Sequence, residues 1–182
     1  LSRAMCLFDW TVRNIQLDPA KDPSAESNGP PPLAQSPWET LLLGRGSVLD
    51  RAWVYVELLR QEGIDGALLA MPAEEGSVSS APRAWAIGVL IEGKIYLFEP
   101  VLGLPIPGPD GPSLDADRKV VIRPATLAEA VADPAVLRRL DLDETTAYPV
   151  GHEDLKNLVA LIIASPSELS RRMAMVQAQL VG

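Results

Sequence analysis

The stretch from residue 44 to residue 71 constrains the fold more than any other part of the chain, because it contains the start and the apolar face of a helix. Ser47 and Asp50 have the spacing of a capping box, in which the hydroxyl accepts from a free N–H of the first turn and the carboxylate accepts from the cap N–H. Apolar residues then recur at helical spacing, at Leu49, Ala52, Trp53, Val56 and Leu59. The sequence therefore predicts an amphipathic helix that begins at about Val48.

Three strands are predicted to follow this helix. Gly63 ends the helix, because glycine adopts the left-handed conformation of a helix C-terminus without a steric penalty. The apolar run 67–71 is typical of an interior strand, and the runs 85–91 and 94–98, joined by a Glu-Gly turn, predict a hairpin. Together these segments predict an α+β fold in which N-terminal helices pack on a small antiparallel sheet.

The residues before this region divide into an apolar segment and a proline-rich segment. Residues 3–17 place apolar side chains near one face and predict a first amphipathic helix, which contains Cys6. Residues 18–37 are rich in Pro and Ser and carry few large apolar side chains. We interpret them as a long surface loop, with a lid over a cleft as the functional alternative.

The last third of the chain is predicted to be helical. Thr126 and Glu129 form a second capping box, which starts a short helix. Further helices are expected over residues 134–140, 151–164 and 166–180. We therefore expect a core over residues 1–124 and a C-terminal helical extension over residues 125–182.

Charge and composition argue against several classes of function. A net charge of −8 disfavours a nucleic-acid partner, for which a basic face would be expected. No apolar run reaches the length of a membrane span. One cysteine and one histidine allow neither an internal disulfide nor a His-rich or all-Cys zinc site, so we expect no metal or cofactor. The chain starts at Leu1 without an initiator Met or a signal-peptide pattern, so we expect it to be a piece of a longer protein. An exported bacterial protein is one option, and the compartment stays open.

Residues along the predicted helix and hairpin resemble the core of transglutaminase-like domains, which share the papain-like cysteine-peptidase fold. The helix contributes the matching residues Gly46, Asp50, Ala52, Leu58, Leu59, Arg60, Gly63 and Ile64. The hairpin contributes Ala84, Trp85 and Pro100, with Glu99 as a conservative replacement of the family's Asp, and the first helix contributes Phe8, Asp9, Trp10, Arg13, Asn14 and Ile15. The resemblance implies a papain-like α+β core, to which the C-terminal helices are added.

The same resemblance implies a triad of Cys, His and Asp, and the chain departs from it. Val48 stands at the Cys position, Arg83 at the His position and Glu99 at the Asp position. Thiol acyl transfer needs a thiolate nucleophile and a base that takes up its proton. Valine cannot attack a carbonyl, and arginine stays protonated. The resemblance therefore predicts a pseudoenzyme, with a vestigial triad, that serves as a binding or structural module of a larger protein.

The vestigial positions also indicate where a ligand would bind. We expect a cleft that includes Ser47, Asp50 and Trp85 and accepts a protein or peptide ligand. Arg83 and Glu99 would either form a structural ion pair between neighbouring strands, or Arg83 would hold a carboxylate or peptide carbonyl of the ligand.

Two other functions are open. A hydrolase or acyltransferase could use Ser47 or Cys6 as a nucleophile with His152 as the base, although a helix cap and a buried small apolar residue are the simpler interpretations. An architectural module could instead dock its C-terminal helices on a partner. The oligomeric state is open, and the four tryptophans are most simply core residues: Trp10, Trp38, Trp53 and Trp85.

Overall fold

The computed structural model describes residues 1–19, 35–72, 82–143, 145–163, 170 and 175, and it has a mixed architecture of helices and antiparallel sheets. The helices are α1 (Ser2–Asn14), α2 (Pro37–Leu43), α3 (Val48–Gln61), α4 (Leu127–Ala132) and α5 (Ala135–Arg138). The strands are β1 (Gln16–Leu17), β2 (Arg45–Gly46), β3 (Asp65–Met71), β4 (Arg83–Ile91), β5 (Lys94–Glu99), β6 (Leu104–Pro105), β7 (Pro107–Leu114), β8 (Val120–Pro124) and β9 (Val159–Leu161).

The predicted capping box positions α3. The Ser47 hydroxyl accepts from the Asp50 N–H at 3.1 Å, and the Asp50 carboxylate accepts from the Ser47 N–H at 2.8 Å. Gly63 follows the helix with a φ of 69°, in the left-handed region that disfavours a side chain. The helix prediction is therefore confirmed at both ends.

The central sheet has the strand order β6-β5-β4-β3-β9, and its described neighbours are antiparallel. The predicted hairpin is confirmed, with Ile91 paired to Lys94 beside the Glu-Gly turn. Strands β7 and β8 form a separate antiparallel pair, and β1 and β2 form a short parallel pair.

Helices α1 and α3 cover one face of the sheet and enclose a compact aromatic cluster. The rings of Phe8, Tyr55 and Phe98 lie 5.0–5.6 Å apart between centroids. The Tyr55 hydroxyl donates to the Ala4 carbonyl at 3.1 Å, so its buried polar atom is satisfied. We call this cluster the aromatic face.

Short C-terminal elements cover the opposite face. Trp85, Ala86 and Leu97 of the sheet share one hydrophobic cluster with Val136, Leu137, Tyr148 and Leu155. We call this the C-terminal face. The division at residues 124/125 stays a prediction, but residues from both sides of it belong to this one cluster.

The predicted helix over residues 151–164 is wrong. Residues Glu153–Asn157 form a 3-10 turn, and β9 then pairs with β3, placing Ala160 opposite Leu69. Pairing with the sheet overrides the helical spacing of the apolar residues. The last predicted helix lies outside the described residues, apart from residues 170 and 175, as does most of the proline-rich loop.

The tryptophans occupy different environments. Trp85 is buried, but Trp38 is 71% exposed and Trp10 is 43% exposed, so the prediction that all four are core residues is wrong. Trp53 is half-buried and donates to Glu57 at 3.1 Å. Across the described helices, none has the length and apolar character needed to cross a bilayer.

Candidate functional site

The head of α3 is a structural junction. Val48 is the first residue of the helix and is half-buried. Asp50 is buried, and its carboxylate accepts from the Ser47 N–H and, at 2.9 Å, from the Gln35 N–H. A Cβ atom on Gly46 would lie 2.7 Å from the Asp50 Cβ, so only glycine fits there. The hydrogen bonds of Ser47 and Asp50 therefore position the first turn of α3 and the backbone of Gln35.

Arg51 connects α3 to the end of β5. It is buried, and it donates through Nε to the Ile15 carbonyl at 2.9 Å and through Nη1 to the Pro100 carbonyl at 2.9 Å. Burial lowers the pKa of Arg51, and the neighbouring Glu99 charge opposes that shift. The guanidinium therefore fixes the chain directly after Glu99.

Glu99 is a buried carboxyl group at the end of β5. It accepts from the Val101 N–H at 3.2 Å and from the Leu102 N–H. Burial raises the pKa of Glu99, although these N–H groups and the Arg51 charge favour its ionised form. The two N–H groups and the Arg51 charge thus partly stabilise the Glu99 carboxylate in the absence of a ligand.

A cavity of about 270 Å³ lies beside Glu99, on the C-terminal face. Its apolar lining consists of Met71, Ala84, Trp85, Val101, Leu102, Leu140, Leu142, Ala147, Pro149 and Val150. Its polar lining consists of Arg83, Glu99, Thr146 and Tyr148. The cavity therefore brings together Arg83, Trp85 and Glu99, whereas Ser47, Val48 and Asp50 are not among the residues that line it.

A β-bulge turns Trp85 towards this cavity. Leu69 pairs with Ala86 and Ala70 pairs with Ala84, so Trp85 has no partner in the register. The extra residue lets Trp85 and its neighbour Ala86 join the same hydrophobic cluster, which strict alternation would prevent.

Tyr148 is a residue of this site that the sequence did not reveal. Its hydroxyl accepts from the Trp85 Nε1–H at 2.8 Å. Burial raises the pKa of the Tyr148 phenol, with a further contribution from the Glu99 charge. Its backbone is held by Asp141 and Arg138. The segment around it is irregular, so no periodic pattern in the sequence marks it.

Arg83 does not form the expected ion pair with Glu99. Within the described parts of the chain, Arg83 forms no ion pair, and its guanidinium donates one hydrogen bond, from Nη2 to the Met71 sulfur at 2.9 Å. The ion-pair interpretation is therefore wrong, although both side chains line the same cavity. Arg83 is exposed to solvent, whereas Glu99 is buried.

The alternative nucleophiles lie elsewhere. Cys6 is exposed on α1, contrary to the expectation of a buried residue. Ser47 caps α3, and His152 Nδ1 lies 3.4 Å from the Ala130 carbonyl oxygen. No cluster of three or more metal-ligating side chains occurs among the residues that the structure describes.

Comparisons with known proteins give one distant structural similarity. A crystal structure described as a "Putative Cysteine Protease" from Cytophaga hutchinsonii is 17% identical to this chain, with a TM-score of 0.38. The match covers 86% of this chain and 51% of that chain, so this chain spans about half of its length. No protein-family model matches the sequence, and no curated protein matches it. Similarity at this level assigns neither a family nor an activity.

Proposed function

We propose that this chain is a catalytically inactive transglutaminase-like domain that binds a ligand in the cavity beside Arg83 and Glu99. The observation that carries the proposal is the chemistry at two positions. An isopropyl group at Val48 and a permanent cation at Arg83 stand where the resemblance requires a thiol and an imidazole. Neither group can perform nucleophilic attack or proton transfer at neutral pH.

The cavity supports a binding role. Its lining is mostly apolar, with Arg83, Glu99, Thr146 and Tyr148 as polar groups. Ligand sites typically combine an apolar wall with a few polar groups that orient the ligand. Trp85 and Tyr148 are fixed by their mutual hydrogen bond, so this part of the wall is formed before a ligand arrives.

The first test is for turnover. The purified chain is incubated with a fluorescent primary amine and a glutamine-rich protein, and separately with unfolded protein as a peptidase substrate. We expect no amine incorporation and no new peptides. A product that disappears in Val48→Ala or Arg83→Gln would overturn the proposal.

The second test asks whether the Val48 position could once have held a reactive thiol. In the double variant Cys6→Ser, Val48→Cys, the new thiol lies at the N-terminus of α3, where the helix dipole favours a thiolate. We expect its pKa, measured from the pH dependence of alkylation, to lie below the ordinary value of about 8.5. The parent chain, with only Cys6, is the control. An unshifted or raised pKa at position 48 would remove the support for a vestigial site.

An architectural interaction module is the second candidate function, and α2 favours it. Trp38 and Leu42 are 71% and 73% exposed and lie four residues apart on this helix. Neighbouring exposed apolar side chains of this size are typical of a contact surface. If this surface mediates self-association, the solution mass should exceed that of the monomer and fall to it in Trp38→Glu. A monomeric parent chain would argue against self-association.

A further inference from the structure

We propose that the cavity binds a small apolar group that ends in a carboxylate, and that Arg83 and Tyr148 hold this carboxylate. The inference rests on the proposed function in one respect, namely the use of this cavity as a binding site. It does not depend on the vestigial-triad interpretation.

The size of the cavity limits the ligand. Its volume of about 270 Å³ lies just below the range of about 300–1,000 Å³ that is typical of sites for drug-sized ligands. A short acyl chain or a single apolar amino-acid residue fits this volume. A folded partner could insert no more than one such group.

The walls of the cavity determine the character of most of the ligand. Met71, Leu140 and Val150 are buried, and Leu102 and Leu142 are exposed by 42% and 78%. A bound aliphatic group would contact the buried side chains and remove part of the exposed leucine surface from water. Burial of apolar surface on both partners favours an aliphatic group over a polar one.

Arg83 supplies the charge that a carboxylate needs. A guanidinium carries five N–H donors in a planar fork that matches the two oxygens of a carboxylate. In the described structure its one hydrogen bond goes to the Met71 sulfur, which is a weak acceptor. The fork is therefore largely uncommitted at the edge of an apolar cavity.

Tyr148 supplies a second donor. Its hydroxyl oxygen already accepts from the Trp85 N–H, which fixes the position of that oxygen in the wall of the cavity. No hydrogen bond donated by this hydroxyl occurs within the described residues. The O–H group can therefore donate to an acceptor in the cavity, such as a carboxylate oxygen of a ligand.

Glu99 does not cancel the positive charge of Arg83. Its carboxylate is bound by the N–H groups of Val101 and Leu102 and lies near the Arg51 charge. The Glu99 carboxylate is thus already paired with two N–H groups and the Arg51 charge, and Arg83 forms no ion pair with it among the described residues. The Arg83 charge is therefore available to a ligand, and it favours an anionic ligand over a neutral or cationic one.

The test measures binding to the full chain by calorimetry with matched probes. Octanoate is compared with octan-1-ol and octylamine, and N-acetylleucine is compared with N-acetylleucinamide. We expect each carboxylate to bind at least about tenfold more tightly than its neutral partner, because hydrogen bonds to charged groups are the stronger ones. Octylamine should bind most weakly. The tighter carboxylate of the two identifies the source as a fatty acid or a peptide C-terminus.

Variants assign the effect to residues. Arg83→Gln should abolish the preference for the carboxylate, Arg83→Lys should retain part of it, and Tyr148→Phe should reduce it. Arg45→Gln removes a charge from an exposed residue that does not line the cavity and should change nothing. Ala147→Trp, at an exposed lining position, should block all of the probes.

The outcomes separate the two proposals. Equal binding of octanoate and octan-1-ol, with both blocked in Ala147→Trp, would overturn the carboxylate inference and leave the cavity as a binding site. Unchanged octanoate binding in Arg83→Gln, or no binding of any probe to the parent chain, would also overturn it. Amine incorporation by the parent chain would overturn the proposed inactivity and leave the binding result intact.

Discussion

The two faces of the central sheet are built in different ways. On the aromatic face, the two longest described helices, α1 and α3, enclose Phe8, Tyr55 and Phe98, with Tyr55 and Phe98 fully buried. On the C-terminal face, short helices, a 3-10 turn and irregular segments cover the sheet and leave a cavity of about 270 Å³. Long helices present continuous apolar stripes that pack closely, whereas short elements meet the sheet at separate points. Both faces bury apolar side chains, and they differ because the C-terminal face also leaves a cavity, which we propose binds a ligand.

The largest expected effect distinguishes the aromatic face from the cavity. Phe98→Ala should lower the free energy of unfolding by about 3–5 kcal/mol, because it removes a fully buried ring from its contacts with Phe8 and Tyr55 and leaves a void. Leu102→Ala, at the cavity mouth, should cost less than about 1 kcal/mol because its side chain is 42% exposed. Urea unfolding measures both values. Equal losses would contradict the contrast between the two faces.

Added volume should also separate the faces. Ala52 of α3 is fully buried in the same hydrophobic cluster as Phe8, Tyr55 and Phe98, so Ala52→Leu should cost about 1–3 kcal/mol through overpacking. Ala147 is exposed and lines the cavity, so Ala147→Leu should change the free energy of unfolding by less than about 0.5 kcal/mol. A similar loss in both variants, measured by urea unfolding, would mean that the C-terminal face is as tightly packed as the other.

The same contrast explains what the sequence could predict. The aromatic face depends on local signals, since Ser47 and Asp50 start α3 and Gly63 follows its end. The hairpin of β4 and β5 was likewise predicted from a Glu-Gly turn between apolar runs. Such signals act over a few residues and need no knowledge of the rest of the fold.

The C-terminal face depends on contacts between distant residues. Leu155, Leu158 and Val159 have helical spacing, yet Val159 pairs with Ala70 in the sheet. Tyr148 reaches Trp85 across 63 positions of sequence, and no repeated pattern marks that contact. The candidate site was thus predicted only in part: the hairpin residues Arg83, Trp85 and Glu99 line the cavity, and Tyr148 joins them only in three dimensions.

Two of the three capping boxes in the described structure offer a matched comparison of the faces. Ser47 caps α3 beside the aromatic face, and Thr126 caps α4 on the C-terminal face, each with both reciprocal hydrogen bonds. We expect Ser47→Ala and Thr126→Ala each to cost about 1 kcal/mol, because the cap energy is local to the first turn. Thermal or urea unfolding measures the pair. A much larger loss at Ser47 would show that its link to Asp50 and Gln35 organises more than one helix.

Glu99, on the C-terminal face, should make the free energy of unfolding of the chain depend on pH. Its folded-state pKa is raised by burial, so the chain gains stability from this group below the pKa of an unfolded Glu, about 4.3, and loses it as the pH rises through the folded pKa. Glu99→Gln should remove this decline between acidic and neutral pH. The pH dependence is compared rather than the absolute stability, since glutamine replaces one acceptor oxygen with a donor. An unchanged slope in the variant would show that the carboxyl group is not responsible.

Glu129 should act in the opposite direction, with the smallest effect. Its hydrogen bonds with Arg123 and Thr126 lower its folded-state pKa, so its contribution to stability is present above the pKa of an unfolded Glu and is lost as the pH falls through the folded pKa. Because the group is largely solvated, the contribution should be only about 0.2–1 kcal/mol. Glu129→Gln retains an acceptor for the Thr126 N–H, so the difference from the parent chain in urea unfolding should vanish at acidic pH and appear at neutral pH. A difference that persists in acid would indicate a lost cap rather than a lost charge.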